Sequence, residues 1–127
     1  MRSAGLVISA IVLTLSLSCK RNGTGGDASI SFYVKHHAAL IPGATVYIKY
    51  GADEFPGSDV SKYDASVVCE TTGPETAHAT FTGLLKGKYY LYATGFDSAI
   101  MQTVTGGIPV KIEKKSDQLT YDVPVKE

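Results

Sequence analysis

At 127 residues, 44% of them hydrophobic, the chain has the length of one compact domain and not of two. Its 12 basic and 12 acidic side chains cancel, so it lacks the cationic excess that a phosphate backbone requires, and nucleic acid is not expected as a partner. Two cysteines are too few for a disulfide-stapled scaffold, so apolar burial must carry the stability.

The first feature in chain order is an uncharged run, Ala4 to Leu17, that follows Arg2 and stops at Ser18-Cys19. As a helix these residues would reach about 21 Å, short of a roughly 30 Å hydrocarbon core, which fits a signal peptide better than a permanent span. Small residues before the cysteine and Lys20-Arg21 after it resemble the lipobox of bacterial lipoprotein precursors, although Ser16 stands where that pattern has leucine. The resemblance implies that residues 1–18 are a cleaved leader and that Cys19 becomes a lipidated, palmitate-bearing N-terminus. The Ser-Cys-Lys junction is similar to lipoproteins of the Bacteroidetes type, which implies the cell envelope and a membrane partner. The outer membrane is the expected one, with the leaflet left open. An ordinary signal peptide that happens to contain a cysteine is the alternative reading.

Residues 19–28 then comprise the lipid-bearing cysteine and a polar, glycine-rich stretch expected to act as a flexible linker of about 15–18 Å. From residue 29 to residue 127 a β-sandwich domain is expected. Ile30, Phe32 and Val34 alternate with polar positions, and after Pro42-Gly43 so do Ala44, Val46, Ile48 and Tyr50. Further strands are predicted over 63–70, 77–82, 88–95, within 101–112, and over 119–125, separated by Gly/Pro/Asp-bearing turns. Cys69 falls in phase with Ala65 and Val67 and should be a buried, unreactive thiol. About seven short strands with no helical period point to an all-β, two-sheet antiparallel sandwich.

The segment Ala79-Thr-Phe81-Thr-Gly83-Leu84-Leu-Lys-Gly87-Lys-Tyr89-Tyr-Leu91-Tyr-Ala93-Thr-Gly95 resembles the signature of transthyretin-like, carboxypeptidase-regulatory-like domains and of the related collagen-adhesin B-type modules. Ile41-Pro-Gly43-Ala44-x-Val46 resembles their turn into a second strand. The likeness implies a prealbumin-like, Ig-like sandwich. Independently of it, Phe81 should end one strand inward, Gly83 and Gly87 should permit a tight hairpin connection, and Tyr89, Leu91 and Ala93 should point to one side. That is a description of a core and not of an active site. The family modules serve as spacers, stalk units and accessory domains, so the likeness says little about function.

Several groups of residues have the types that chemistry would need. Some collagen-adhesin modules cross-link their first and last strands through a lysine; the pair here would be Lys35 and Asp122, but both fall out of phase with the core and should face solvent, where no apolar surround perturbs them. His36 and His37 should leave an extended strand on opposite faces and so fail to grip one ion, and His78 stands alone. The loop from Gly51 to Asp64 gathers Asp53, Glu54, Asp59 and Asp64, which calcium would accept if the loop folded back on itself, without the spacing of a known calcium loop. No catalytic motif, metal site or cofactor is therefore expected. The remaining candidates are Tyr33, Tyr47, Tyr90 and Tyr92, all out of phase with the core residues of their strands. They could form one ligand-binding platform, with Tyr47 beside Tyr90 or Tyr92 if the second and fifth predicted strands are neighbours as the resemblance implies. Two readings follow: a non-catalytic, membrane-tethered module with a structural, assembly or adhesion role towards another envelope protein, or a carbohydrate-binding accessory module that presents the tyrosine face to a glycan.

Overall fold

In the computed structural model, which describes residues 22–127, the period-two pattern becomes eight strands in two sheets. The expected leader and Cys19 lie outside the described residues. The strands are β1 (Thr24–His36), β2 (Ala39–Leu40), β3 (Thr45–Tyr50), β4 (Ala65–Val68), β5 (His78–Leu84), β6 (Gly87–Asp97), β7 (Gln102–Ile112) and β8 (Gln118–Val125). A single 3-10 turn, Val60–Lys62, sits in the loop between β3 and β4. The strand beyond the seven expected is β2, whose two residues are too few to show alternation.

β1 is the centre of the first sheet. β2 and β5 pair antiparallel with successive stretches of one edge, and β8 pairs parallel with the other, from Ser29↔Gln118 to His36↔Val125. The second sheet runs β4-β3-β6-β7, with every pair antiparallel. The parallel β1–β8 pair departs from the expectation of a wholly antiparallel sandwich. It arises because the last strand returns beside the first by crossing from the second sheet, and not by a hairpin.

Alternation sorts the side chains as the strands require. Ala28, Ile30, Phe32 and Val34 from β1, Val46 and Ile48 from β3, and Tyr89, Leu91 and Ala93 from β6 all point into the interior and are sealed from solvent. Cys69 joins this core just after β4, beside the half-buried Ala65 and Val67. Burial, with Glu70 beside it, pushes its thiol up to about 11, so the sulfur behaves as a small apolar group.

Two connections differ from expectation. The residues between Leu84 and Gly87 do not close a hairpin, because β5 belongs to the first sheet and β6 to the second; the chain turns a corner between layers. Tyr89 holds that corner: its hydroxyl accepts from the Gly23 amide at 2.9 Å and donates to the Leu85 carbonyl at 2.6 Å. The glycine-rich stretch expected to be a linker is ordered from Asn22 onward, and β1 begins at Thr24 and not near Ser29. Asn22 donates its amide to the Lys86 carbonyl and accepts from the Lys88 amide, so polar side-chain and backbone bonds stand in for the apolar pattern this stretch lacks. Gly26 is essential to the approach, since a Cβ there would collide with the Leu84 carbonyl. At the opposite edge a Cβ on Gly106 would collide with the Pro124 carbonyl, and its absence lets β7 and β8 close the sandwich through the Thr105↔Lys126 bridge.

Candidate functional site

The four candidate tyrosines are not one surface. Tyr33 leaves β1 on the outer face of the first sheet, where its ring lies 4.9 Å from His78 and its hydroxyl donates to Glu75. Tyr47, Tyr90 and Tyr92 lie together on the outer face of the second sheet, because β3 and β6 pair with Tyr47 opposite Tyr92. This is the neighbour relation expected of the second and fifth predicted strands.

That face is covered. The loop between β3 and β4 folds back over it and lays Phe55 against both Tyr90 and Tyr92, with ring centres 5.9 and 5.3 Å apart. Tyr63, from the end of the same loop, stacks on Tyr92 at 5.7 Å and 22° and also meets Tyr47. Tyr90 and Tyr92 are consequently 9% and 5% exposed, whereas Phe55 itself is 53% exposed. The expected open platform is thus corrected to an aromatic layer under a loop. Burial, with Tyr92 and Tyr90 alongside, pushes the Tyr63 hydroxyl up to about 12. A groove of about 700 Å³ remains at the margin, walled by Phe55, Tyr90 and Tyr92 and floored by Gly106 and Gly107. Tyr33 lines a different groove of about 770 Å³ on the other side of the sandwich, with Glu70, Glu75 and His78.

The loop's carboxylates do not converge on an ion. Asp53 pairs with Lys88 at 3.1 Å, which holds its carboxyl below the usual range. Asp59 caps the 3-10 turn by accepting from the Ser61 amide and hydroxyl. Asp64 accepts from the Tyr50 amide at 2.7 Å and faces Lys49. Asp53, Asp59 and Asp64 are thereby committed to pinning the loop.

Lys35 and Asp122 do meet, at 3.2 Å, but on the outer surface of β1 and β8, as an ordinary exposed ion pair. The histidines depart from expectation. β1 ends at His36, and His37 adopts a left-handed backbone with φ 56° that swings its ring back until the two ring centres are 4.5 Å apart. His36 is inward and buried. Its Nδ1 meets the Asp97 carboxylate at 2.7 Å, and Asp97 in turn accepts from the Ala99 amide. The bond to Asp97 raises the imidazole's pKa, against its desolvation, and lowers that of Asp97.

Comparison with protein-family models and with curated proteins finds no match for the chain. Among solved structures, it is similar in fold to a variant of BcpA, the major pilin subunit of Bacillus cereus. The TM-score is 0.51 and the identity 15%, over 82% of this chain and 30% of the pilin. At that identity the likeness concerns the β-sandwich alone, and the chain spans less than a third of the pilin's length.

Phe55, Tyr63, Asp97 and Glu127 are the residues that the sequence reading passed over. Phe55 and Asp97 carried a signal. A lone phenylalanine in a polar Gly/Pro/Asp loop has no reason to be there unless it docks on something apolar. Asp97 continues the inward phase of Tyr89, Leu91 and Ala93, just as His36 continues that of Phe32 and Val34, and two ionisable groups in core phase imply that they meet.

Proposed function

We propose that the chain is a membrane-tethered, non-catalytic module with a structural or assembly role at the cell envelope, held by lipid on Cys19. The observation that carries the structural half is the parallel pairing of the first and last strands. The chain enters the domain at the Thr24 end of β1 and leaves it at the Val125 end of β8, so tension between the tether and a load beyond β8 runs along the paired strands. Such tension loads the whole hydrogen-bonded register at once and does not peel it rung by rung. A likeness to a pilin subunit and the exposure of Glu70 and Glu75 in the larger groove support the same reading, since a general acid or base is tuned by enclosure.

The tether is tested in cells fed labelled palmitate: the wild-type chain should carry label and sediment with membranes, and Cys19→Ser should lose both. Label and membrane association that survive Cys19→Ser would refute it. The carbohydrate reading keeps one favourable observation, the groove walled by Phe55, Tyr90 and Tyr92. Polysaccharide pull-down lost in Phe55→Ala would favour that reading; a blank result with the wild-type chain would retire it.

A further inference from the structure

His36, His37 and Glu127 each present a ligand atom, all within 4.8 Å of one another, at the end of the sandwich where β1 and β8 finish side by side. It is the one such grouping of three among the described residues. Three details separate it from a chance meeting of polar side chains. His36 is 5% exposed, and its Nδ1 is engaged by Asp97 at 2.7 Å, which aims Nε2 outward into the cluster. That nitrogen is buried, and its near neighbour, Glu127 Oε2 at 2.6 Å, sits off the direction of a well-aligned hydrogen bond. The other two members, His37 and Glu127, are exposed and free to adjust.

We propose that His36, His37 and Glu127 form a binding site for a divalent transition metal of the zinc class, with Asp97 as the positioning residue behind His36. Two imidazoles and one carboxylate are donors that suit zinc and discriminate against calcium and magnesium, which prefer all-oxygen shells. A carboxylate behind the ligating histidine fixes its tautomer and its direction, as metal-bound histidines generally require. Tetrahedral coordination at about 2.1 Å places neighbouring ligand atoms about 3.4 Å apart. Rotation of the exposed His37 and Glu127 side chains covers the difference from the distances here, with His36 as the fixed point. Solvent completes the fourth position. The ion would join the end of β1 to the residues just past β8, and so staple the parallel pair; the site stands on its own geometry and does not depend on the proposed role of that pair.

The test is titration of the full chain, made without a polyhistidine tag, with zinc alone, followed by calorimetry and by thermal unfolding with and without chelator. One zinc per chain should bind and raise Tm. His37→Gln and Glu127→Gln, both at exposed positions that leave the fold intact, should each weaken binding by about ten-fold or more, and His78→Gln should not. Asp97→Asn should weaken it by roughly 10–100-fold. Cobalt in place of zinc should give the visible absorption of a four-coordinate ion, lost in His37→Gln, a signature that mere destabilisation does not move. Absence of binding, or binding that survives both His37→Gln and Glu127→Gln, would overturn the site. So would calcium or magnesium displacing zinc at equal concentration.

Discussion

The inner face of β3 and β6 is buried and the middle of their outer face is buried in part, by different means. The inner face carries Val46, Ile48, Leu91 and Ala93 and is closed by the whole opposing sheet. On the outer face Tyr47, Tyr90 and Tyr92 are covered by one loop, through Phe55 and Tyr63. Exposing the first requires the sandwich to come apart, whereas exposing the second requires only that a loop lift. Burial of a tyrosine in this protein is therefore a property of its cover as much as of its strand. Opening the outer layer therefore disrupts less of the molecule than opening the inner one.

Substitutions separate the two faces. Leu91→Ala should open a cavity in the shared interior and cost about 2–5 kcal/mol, read as a lower urea midpoint with one cooperative transition. A loss under about 1 kcal/mol would mean that the interior is not packed as described. Tyr89→Phe keeps the ring but strands the buried Gly23 amide and the Leu85 carbonyl, at about 1–3 kcal/mol, and should speed amide exchange at Gly23. Unchanged exchange there would detach the Asn22–Gly23 segment from the corner. Phe55→Ala removes a half-exposed ring and should cost only about 1 kcal/mol, while making Tyr90 and Tyr92 markedly more reactive to nitration. Equal reactivity before and after would show that the loop does not cover them.

The smallest effect is on pH dependence. The Cys69 thiol is raised from 9.0 to about 11 in the folded chain, so between these values the unfolded chain holds fewer protons, and stability falls as pH rises. Near pH 10 this contributes about 1 kcal/mol of loss. The decline in urea midpoint above pH 9 should be shallower in Cys69→Ala; an unchanged slope would place the thiol in contact with solvent.

Much of the sandwich is legible in the sequence because alternation reports which residues share an interior. Ile30, Phe32 and Val34, or Tyr89, Leu91 and Ala93, could hardly be disposed otherwise once extended. The pairing of β3 with β6 followed from the family resemblance and brought Tyr47 to Tyr92. What alternation does not encode is where a chain changes layer or folds over itself. The stretch from Thr24 to Ala28 has no apolar period, and its place in β1 comes from backbone bonds and the missing Cβ at Gly26. The corner after Leu84 reads like a hairpin because glycines serve both kinds of turn. Phe55 over Tyr90 and Tyr92, and His37 turned back by its left-handed backbone, depend on long-range closure or on one dihedral angle, and neither leaves a periodic trace.

The parallel register of β1 and β8 is the feature on which the structural role rests, and pulling single molecules tests it. Handles at Thr24 and Lys126 load the pair in shear, whereas handles at Thr24 and Ser116 pull on the same end of both strands and unzip them. A clearly higher rupture force is expected in the first geometry. Equal forces, or a higher force in the second, would contradict it.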